Sequence, residues 1–301
     1  MQEVRTSRTH KIEKDMTMEN INGKAIYTPK GAALEYGRIG CNFYTGCPHN
    51  CEYCYLKRGI TGKTLGGTEV RLKKCFKNME NAIDIFCKEV DAHLEQCRRY
   101  GIFFSFTTDP LIEVTRGLTA FAIHYCIVNN IPVHVLTKDA TFLGDDLFTS
   151  DLDHIADADR KYIHIGFTLT GRDDMEPNAS TNAERIEAMR ILHSQCFATF
   201  ASIEPVIEWY DSRRVIRQSL DCCDHYKIGL RSGVKKDYYD PQECVEHIIG
   251  MVKDITNAGR TVYLKQSVRT MLGKVLYPGA IDCILKQTVD ADGNPYKTQQ
   301  Q

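Results

Sequence analysis

Short apolar runs and amphipathic stretches alternate along most of the chain. Seven runs rich in β-branched and aromatic residues stand out: Ile39 to Tyr44, Ile102 to Thr107, Val133 to Thr137, Tyr162 to Leu169, Ala198 to Ile203, Tyr226 to Leu230 and Thr261 to Leu264. Patterns of helical period fill the gaps, at Asn81 to Tyr100, Arg116 to Asn129, Asn182 to His193, Ser212 to Cys223 and Pro241 to Asn257. In the first of these, Ala82, Ile85, Phe86, Val90, His93, Leu94 and Cys97 recur at spacings of three and four, which predicts one buried stripe. Ser180 and Thr181 ahead of Glu184 form a capping signal, and Gly259 marks a helix end. Alternation of this kind predicts βαβ units around a parallel sheet.

Polar residues follow the predicted strands in succession: Asp109, Lys138, Thr168 with Thr170, Glu204, Arg231 and Lys265. A barrel of parallel strands brings such ends to one rim, where converging loops on rigid strands carry chemistry. Residues 1–36 read as an irregular leader that wraps the outside of the barrel, 37–265 as the barrel, and 266–301 as a C-terminal extension with a frayed tail from Asp290.

With 301 residues, 43% hydrophobic and 26% charged, the chain is neither disordered nor fibrous, and its length suits a single α/β barrel. A net charge of −1 argues against a dedicated duplex-binding protein while leaving local basic patches open. No apolar run reaches the roughly 20 residues that cross a bilayer, and the polar start lacks the centre of a secretory signal. A soluble, cytoplasmic protein without membrane contact is therefore expected. In that compartment the 13 cysteines point to a metal or cluster rather than to a disulfide framework.

Three of them fall on one short loop, Cys47-Pro-His-Asn-Cys51-Glu-Tyr-Cys54, just after the first predicted strand. Soft thiolates at this spacing select zinc, copper(I) or an iron–sulfur cluster. A structural zinc site wants a fourth ligand, which Cys41, His49 or a distant residue would supply, and it would make the chain a nucleic-acid or protein interaction module using Cys41, Cys47, Cys51 and Cys54. A four-iron cluster held by three thiolates would leave one iron open for a small molecule. Cys75, Cys87, Cys97, Cys126, Cys196, Cys222, Cys223, Cys244 and Cys283 show no second compact spacing and read as core or helix residues.

The C-x3-C-x2-C loop, with Tyr53 before its last cysteine, resembles the signature of the radical S-adenosylmethionine (radical SAM) superfamily. Tyr27 to Glu35, Cys41 to Cys47, Thr107-Thr-Asp-Pro110, Leu136-Thr-Lys138, and Glu176-Pro177 with Arg185 are similar to the pattern of its spore-photoproduct-lyase-like members. These motifs span roughly residues 25–205, and weaker matches follow at Ser202 to Pro205 and Leu264 to Gln266.

The resemblance implies a partial (βα)6 TIM-like barrel in which Cys47, Cys51 and Cys54 hold a [4Fe-4S] cluster and S-adenosylmethionine spans the rim. An electron from a flavodoxin-like or ferredoxin-like partner would cleave the sulfonium, and the resulting 5′-deoxyadenosyl radical would take hydrogen from a substrate. By motif position Tyr53 would contact the adenine side. Thr107, Thr108 and Asp109 would hold the methionine ammonium, Lys138 its carboxylate, and Thr168 the ribose or carboxylate, with Glu204 on the same rim. Spore photoproduct lyases return hydrogen to the product radical from a cysteine at the second-strand end, whereas Phe103 to Glu113 contains none. Tyr44, Tyr55, Cys41 and Tyr263 are the alternative donors. A nucleotide or nucleic acid is one expected substrate, and Lys57-Arg58, Arg231, Lys265 and Arg269 form the expected contact to a phosphate-bearing one. The remaining basic pairs, Lys235-Lys236 among them, read as solvated faces.

Overall fold

The computed structural model describes residues 18–145, 150, 155–235 and 237–296. The first 17 residues of the expected leader, the last five of the tail and Lys236 lie outside the described residues. The strands are β1 (Ile26–Tyr27), β2 (Gly40–Cys41), β3 (Tyr44–Thr45), β4 (Arg71–Leu72), β5 (Ile102–Phe104), β6 (Val133–Thr137), β7 (Ile163–Thr168), β8 (Ala198–Val206), β9 (His225–Leu230) and β10 (Thr261–Leu264). Eight form one sheet in the order β1-β2-β5-β6-β7-β8-β9-β10, and β3 and β4 form a small separate pair. Within the large sheet β1 runs antiparallel to β2 while every other pairing is parallel, from Gly40 opposite Phe103 to Leu264 opposite Ile228. No described pairing joins β10 back to β1, so the barrel is partial.

Helices cover the outer face, as right-handed crossovers between parallel strands require. Met79–Ala92 buries Ala82, Phe86 and Val90. The predicted single helix over Asn81 to Tyr100 is broken in two at His93, whose backbone (φ −123°, ψ 27°) leaves the helical region, and Leu94–Tyr100 continues it. Pro241–Asn257 presents Cys244, Val245, Ile248, Met251, Val252 and Ile255 to the sheet, with Asp240 capping its start. Each such aliphatic side chain contributes about 1.5–3 kcal/mol on burial. Helices also form at Glu113–Val128, Asn182–Ser194 and Trp209–Ser219, within a few residues of the predicted spans. Gly59–Leu65, Gln266–Leu272 and Pro278–Leu285 were not anticipated. No helix among the described residues is long and apolar enough to cross a membrane.

The leader behaves differently from the expected outer wrap. Glu35 and Tyr36 reach across the unclosed side of the barrel to the far strands: Tyr263 Oη donates to Glu35 Oε1 (2.8 Å), Lys227 Nζ to the Glu35 carbonyl (3.0 Å), and Tyr36 Oη lies 2.7 Å from Ser202 Oγ. Arg38 pairs with Asp292 at 2.6 Å, so the segment beyond β10 is tied to the same seam. Of the scattered cysteines, Cys97, Cys126, Cys222, Cys223 and Cys244 are buried as expected of small hydrophobes. Cys75, Cys196 and Cys283 are exposed instead, the first two in turns and Cys283 within the helix Pro278–Leu285.

Candidate functional site

The loop after β3 carries Cys47, Cys51 and Cys54. Gly46 opens it with φ +81°, and a side chain there would collide with the carbonyl of Glu69, so the turn demands glycine. His49 is buried, and its two ring nitrogens clamp the loop: Nδ1 lies 2.9 Å from the Asn178 carbonyl and Nε2 2.9 Å from Asp109 Oδ2. Below it, Tyr53 Oη donates to Glu176, and Glu176 is in turn paired with Arg185, both charges having no exposed side-chain surface. Arg185 Nη1 also donates to the Thr168 carbonyl (2.5 Å), which links the cysteine loop to the end of β7. Burial and the neighbouring Glu176 push the Tyr53 phenol well above its ordinary range, so its proton stays on the bridge.

Every residue expected at the site (Cys47, Cys51, Cys54, Tyr53, Thr107, Thr108, Asp109, Lys138, Thr168 and Glu204) lines one cavity of about 1080 Å³ at the carboxyl ends of the strands. Asp109 is not an open carboxylate. Oδ1 accepts from Leu111 N (3.0 Å) and Thr137 Oγ1 (2.7 Å), and Oδ2 accepts from His49 and from Lys138 N (2.7 Å). Burial alone would raise its pKa, but His49 and the two amides outweigh that and hold it below the carboxylate range. With four protein donors, it acts as a brace for the loop rather than as the expected free partner of an ammonium group. Thr107 Oγ1 is likewise committed to the Tyr44 carbonyl (2.5 Å). Thr108 Oγ1 is different: it is buried, lines the cavity and has no partner.

Lys138 Nζ lies 5.7 Å from the centre of the Tyr53 ring. Burial would lower its pKa, yet the Cys51 thiol and Glu176 override this and raise it, which keeps the amine a cation facing the loop. Glu204 departs from the expected cofactor contact: Lys265 Nζ is paired with it, and Tyr36 Oη donates to it at 2.5 Å. Gly229 makes room, since a Cβ there would sit 2.8 Å from the Glu204 carboxyl carbon and 2.9 Å from Lys265 Cδ. Glu35, Tyr36, His49, Glu176 and Arg185 thus build the site as much as the expected residues do. The Glu176 and Arg185 motif was visible in sequence, but the barrel's path across Glu35 and Tyr36 had no local signal.

Three soft thiols on one loop at the rim of the cavity are a donor set that suits the irons of an iron–sulfur cluster. Cys41, named as the fourth ligand of the zinc alternative, is buried in β2 beside Cys126 and Cys97 and does not line the cavity. The orphan Thr108 hydroxyl and the cationic Lys138 suit a polar, carboxylate-bearing ligand beside the cysteines.

Comparison of the fold decides its class. Spore photoproduct lyase complexed with dinucleoside spore photoproduct matches at a TM-score of 0.59, with 15% identity over 79% of this chain and 80% of the other. The fold is similar to that of spore photoproduct lyase. A double mutant of that enzyme with bound AdoMet and dinucleoside spore photoproduct matches at 0.58, with 13% identity over 76% of each chain. A single mutant matches at 0.57 with 15% identity, over 83% of this chain and 80% of the other. No protein-family model and no curated sequence matches the chain. In this chain the cysteine loop and the cavity lie at the carboxyl rim of the parallel strands.

Proposed function

We propose that the chain is a radical SAM enzyme in which Cys47, Cys51 and Cys54 hold a [4Fe-4S] cluster and the adjoining wall of the cavity holds S-adenosylmethionine. The observation that carries this reading is the meeting of a three-cysteine loop with Thr108, Lys138 and Thr168 on one cavity of this fold. When bound, the cluster would supply the electron that cleaves the sulfonium and starts hydrogen abstraction from a substrate. Lys138 would pair with the methionine carboxylate and the unpartnered Thr108 hydroxyl would take a polar group of the same ligand. Asp109, Glu176 and Arg185 would keep the loop and the Tyr53 ring in place.

Barrel and flanks divide in this reading into 1–36, 37–265 and 266–301, with a flavodoxin-like or ferredoxin-like protein as electron donor. Among the four alternative hydrogen donors only Tyr55 lines the cavity, which supports it over Tyr44, Cys41 and Tyr263. Because the matching lyase binds a dinucleoside, nucleotides and nucleic acids are the first substrates to test. The function test is anaerobic reconstitution, addition of S-adenosylmethionine and dithionite, and chromatography of the products. The expected result is 5′-deoxyadenosine from the wild type and none from Cys47→Ala, Cys51→Ala or Cys54→Ala. An iron-loaded wild type that releases none would overturn the proposal.

A further inference from the structure

The cavity, at about 1080 Å³, stands at the upper end of the range of about 300 to 1,000 Å³ for small-ligand pockets. Its lining has two features the cofactor reading leaves unused. One is a wall of rings: Phe103 and Phe106 stack at 4.6 Å between centres, Tyr36 lies 5.4 Å from Phe103, and Tyr27 lies 6.5 Å from Phe106. All four line the cavity. The other is Arg231, at the end of β9.

The cations expected to meet an anion are mostly committed elsewhere. Lys265 is paired with Glu204, Lys57 Nζ donates to the Asn50 carbonyl (2.9 Å), and Arg58 Nη1 donates to the Ser232 carbonyl (2.8 Å). Arg269 Nη2 donates to Tyr263 Oη (3.0 Å) and does not line the cavity. Arg231 has no side-chain hydrogen bond or ion pair among the described residues, and its Nε is buried without a partner. Its guanidinium carbon lies 5.9 Å from the centre of the Tyr238 ring. Its backbone is nevertheless fixed, because Arg231 N donates to Tyr239 Oη (2.8 Å) and Arg58 braces the next residue. A buried, unpaired guanidinium N–H is costly unless an acceptor arrives to use it.

We propose that Arg231 anchors an anionic group of the substrate while the flat, apolar body of that substrate lies against Tyr27, Tyr36 and Phe106, with the buried Phe103 packed behind them. The inference rests on the reading of this cavity as the substrate chamber of a radical enzyme, but it requires no turnover. The recognition chemistry is that of a phosphate or carboxylate on a planar ring, since the fork of a guanidinium suits both anions.

The test is isothermal titration of the reconstituted protein, and again of the metal-free chain, with phenyl phosphate, benzoate, inorganic phosphate and phenol. Saturable binding of phenyl phosphate or benzoate is expected, tighter than that of phenol or inorganic phosphate, and the tighter of the two acids names the anion. Arg231→Gln is expected to weaken that binding about tenfold or more, with Arg231→Lys in between. Iron content and melting temperature report whether the variants are intact. Equal affinity in wild type and Arg231→Gln, a phenol affinity matching that of the acids, or no saturable binding would each overturn the proposal. Anion binding by the metal-free chain without 5′-deoxyadenosine release by the loaded protein would count against the radical reading alone.

Discussion

Asp109 shows how a single side chain organises this site. Its four donors come from the cysteine loop, from the turn it begins and from the end of β6, so removing it releases three segments at once. Asp109→Ala leaves the His49 ring and two amides without acceptors in a buried place, and a loss of about 3–5 kcal/mol in urea unfolding is expected. A loss under about 1 kcal/mol would show that the carboxylate is not the brace described. Gly46 permits an equally local prediction. Gly46→Ala meets both a positive φ and the Glu69 carbonyl, so the loop must shift, and iron retained after reconstitution should fall even where the barrel stays folded by circular dichroism. Retention equal to wild type would mean that the loop geometry does not depend on this turn.

Among the elements, the seven-strand parallel pattern was legible because short runs rich in β-branched and aromatic residues recur between the helical stretches, and β6, β10 and Pro241–Asn257 lie where the alternation put them. The break at His93 was not, since the apolar stripe continues through it and periodicity cannot register one non-helical residue. Gly59–Leu65 was hidden by its two glycines, and Gln266–Leu272 and Pro278–Leu285 are too short for a periodic signal. The strands also carry a titrating layer inside the barrel. His134 on β6 and His164 on β7 stack at 4.4 Å, with His225 on β9 nearby. Burial pushes His164 down to about 4 and, with help from Lys227, His225 to about 3, from an ordinary 6.5. The unfolded chain therefore takes up protons first as the pH falls below 6.5, so stability is present above that value and is lost towards pH 3–4. Urea midpoints measured across that range should fall, and less steeply in His164→Gln. An unchanged slope in the variant would remove His164 from the account.

At the scale of the whole molecule, the unclosed barrel is bridged by its own leader. The cysteine signature could be read from the eight consecutive residues Cys47 to Cys54, but the contacts of Glu35 and Tyr36 join positions more than 160 residues apart and left no mark on the local pattern. Tyr36→Phe removes the hydroxyl shared with Ser202 and Glu204, and a global loss of about 1–3 kcal/mol in chemical denaturation is expected from that seam. No loss would mean that the leader only rests on the barrel. The central claim concerns the rim that this architecture presents, and electron paramagnetic resonance tests it most directly. The anaerobically reconstituted, dithionite-reduced protein should carry about four irons per chain and a cluster signal that changes shape when S-adenosylmethionine is added. A silent spectrum from a chain that binds zinc and no iron would contradict the account.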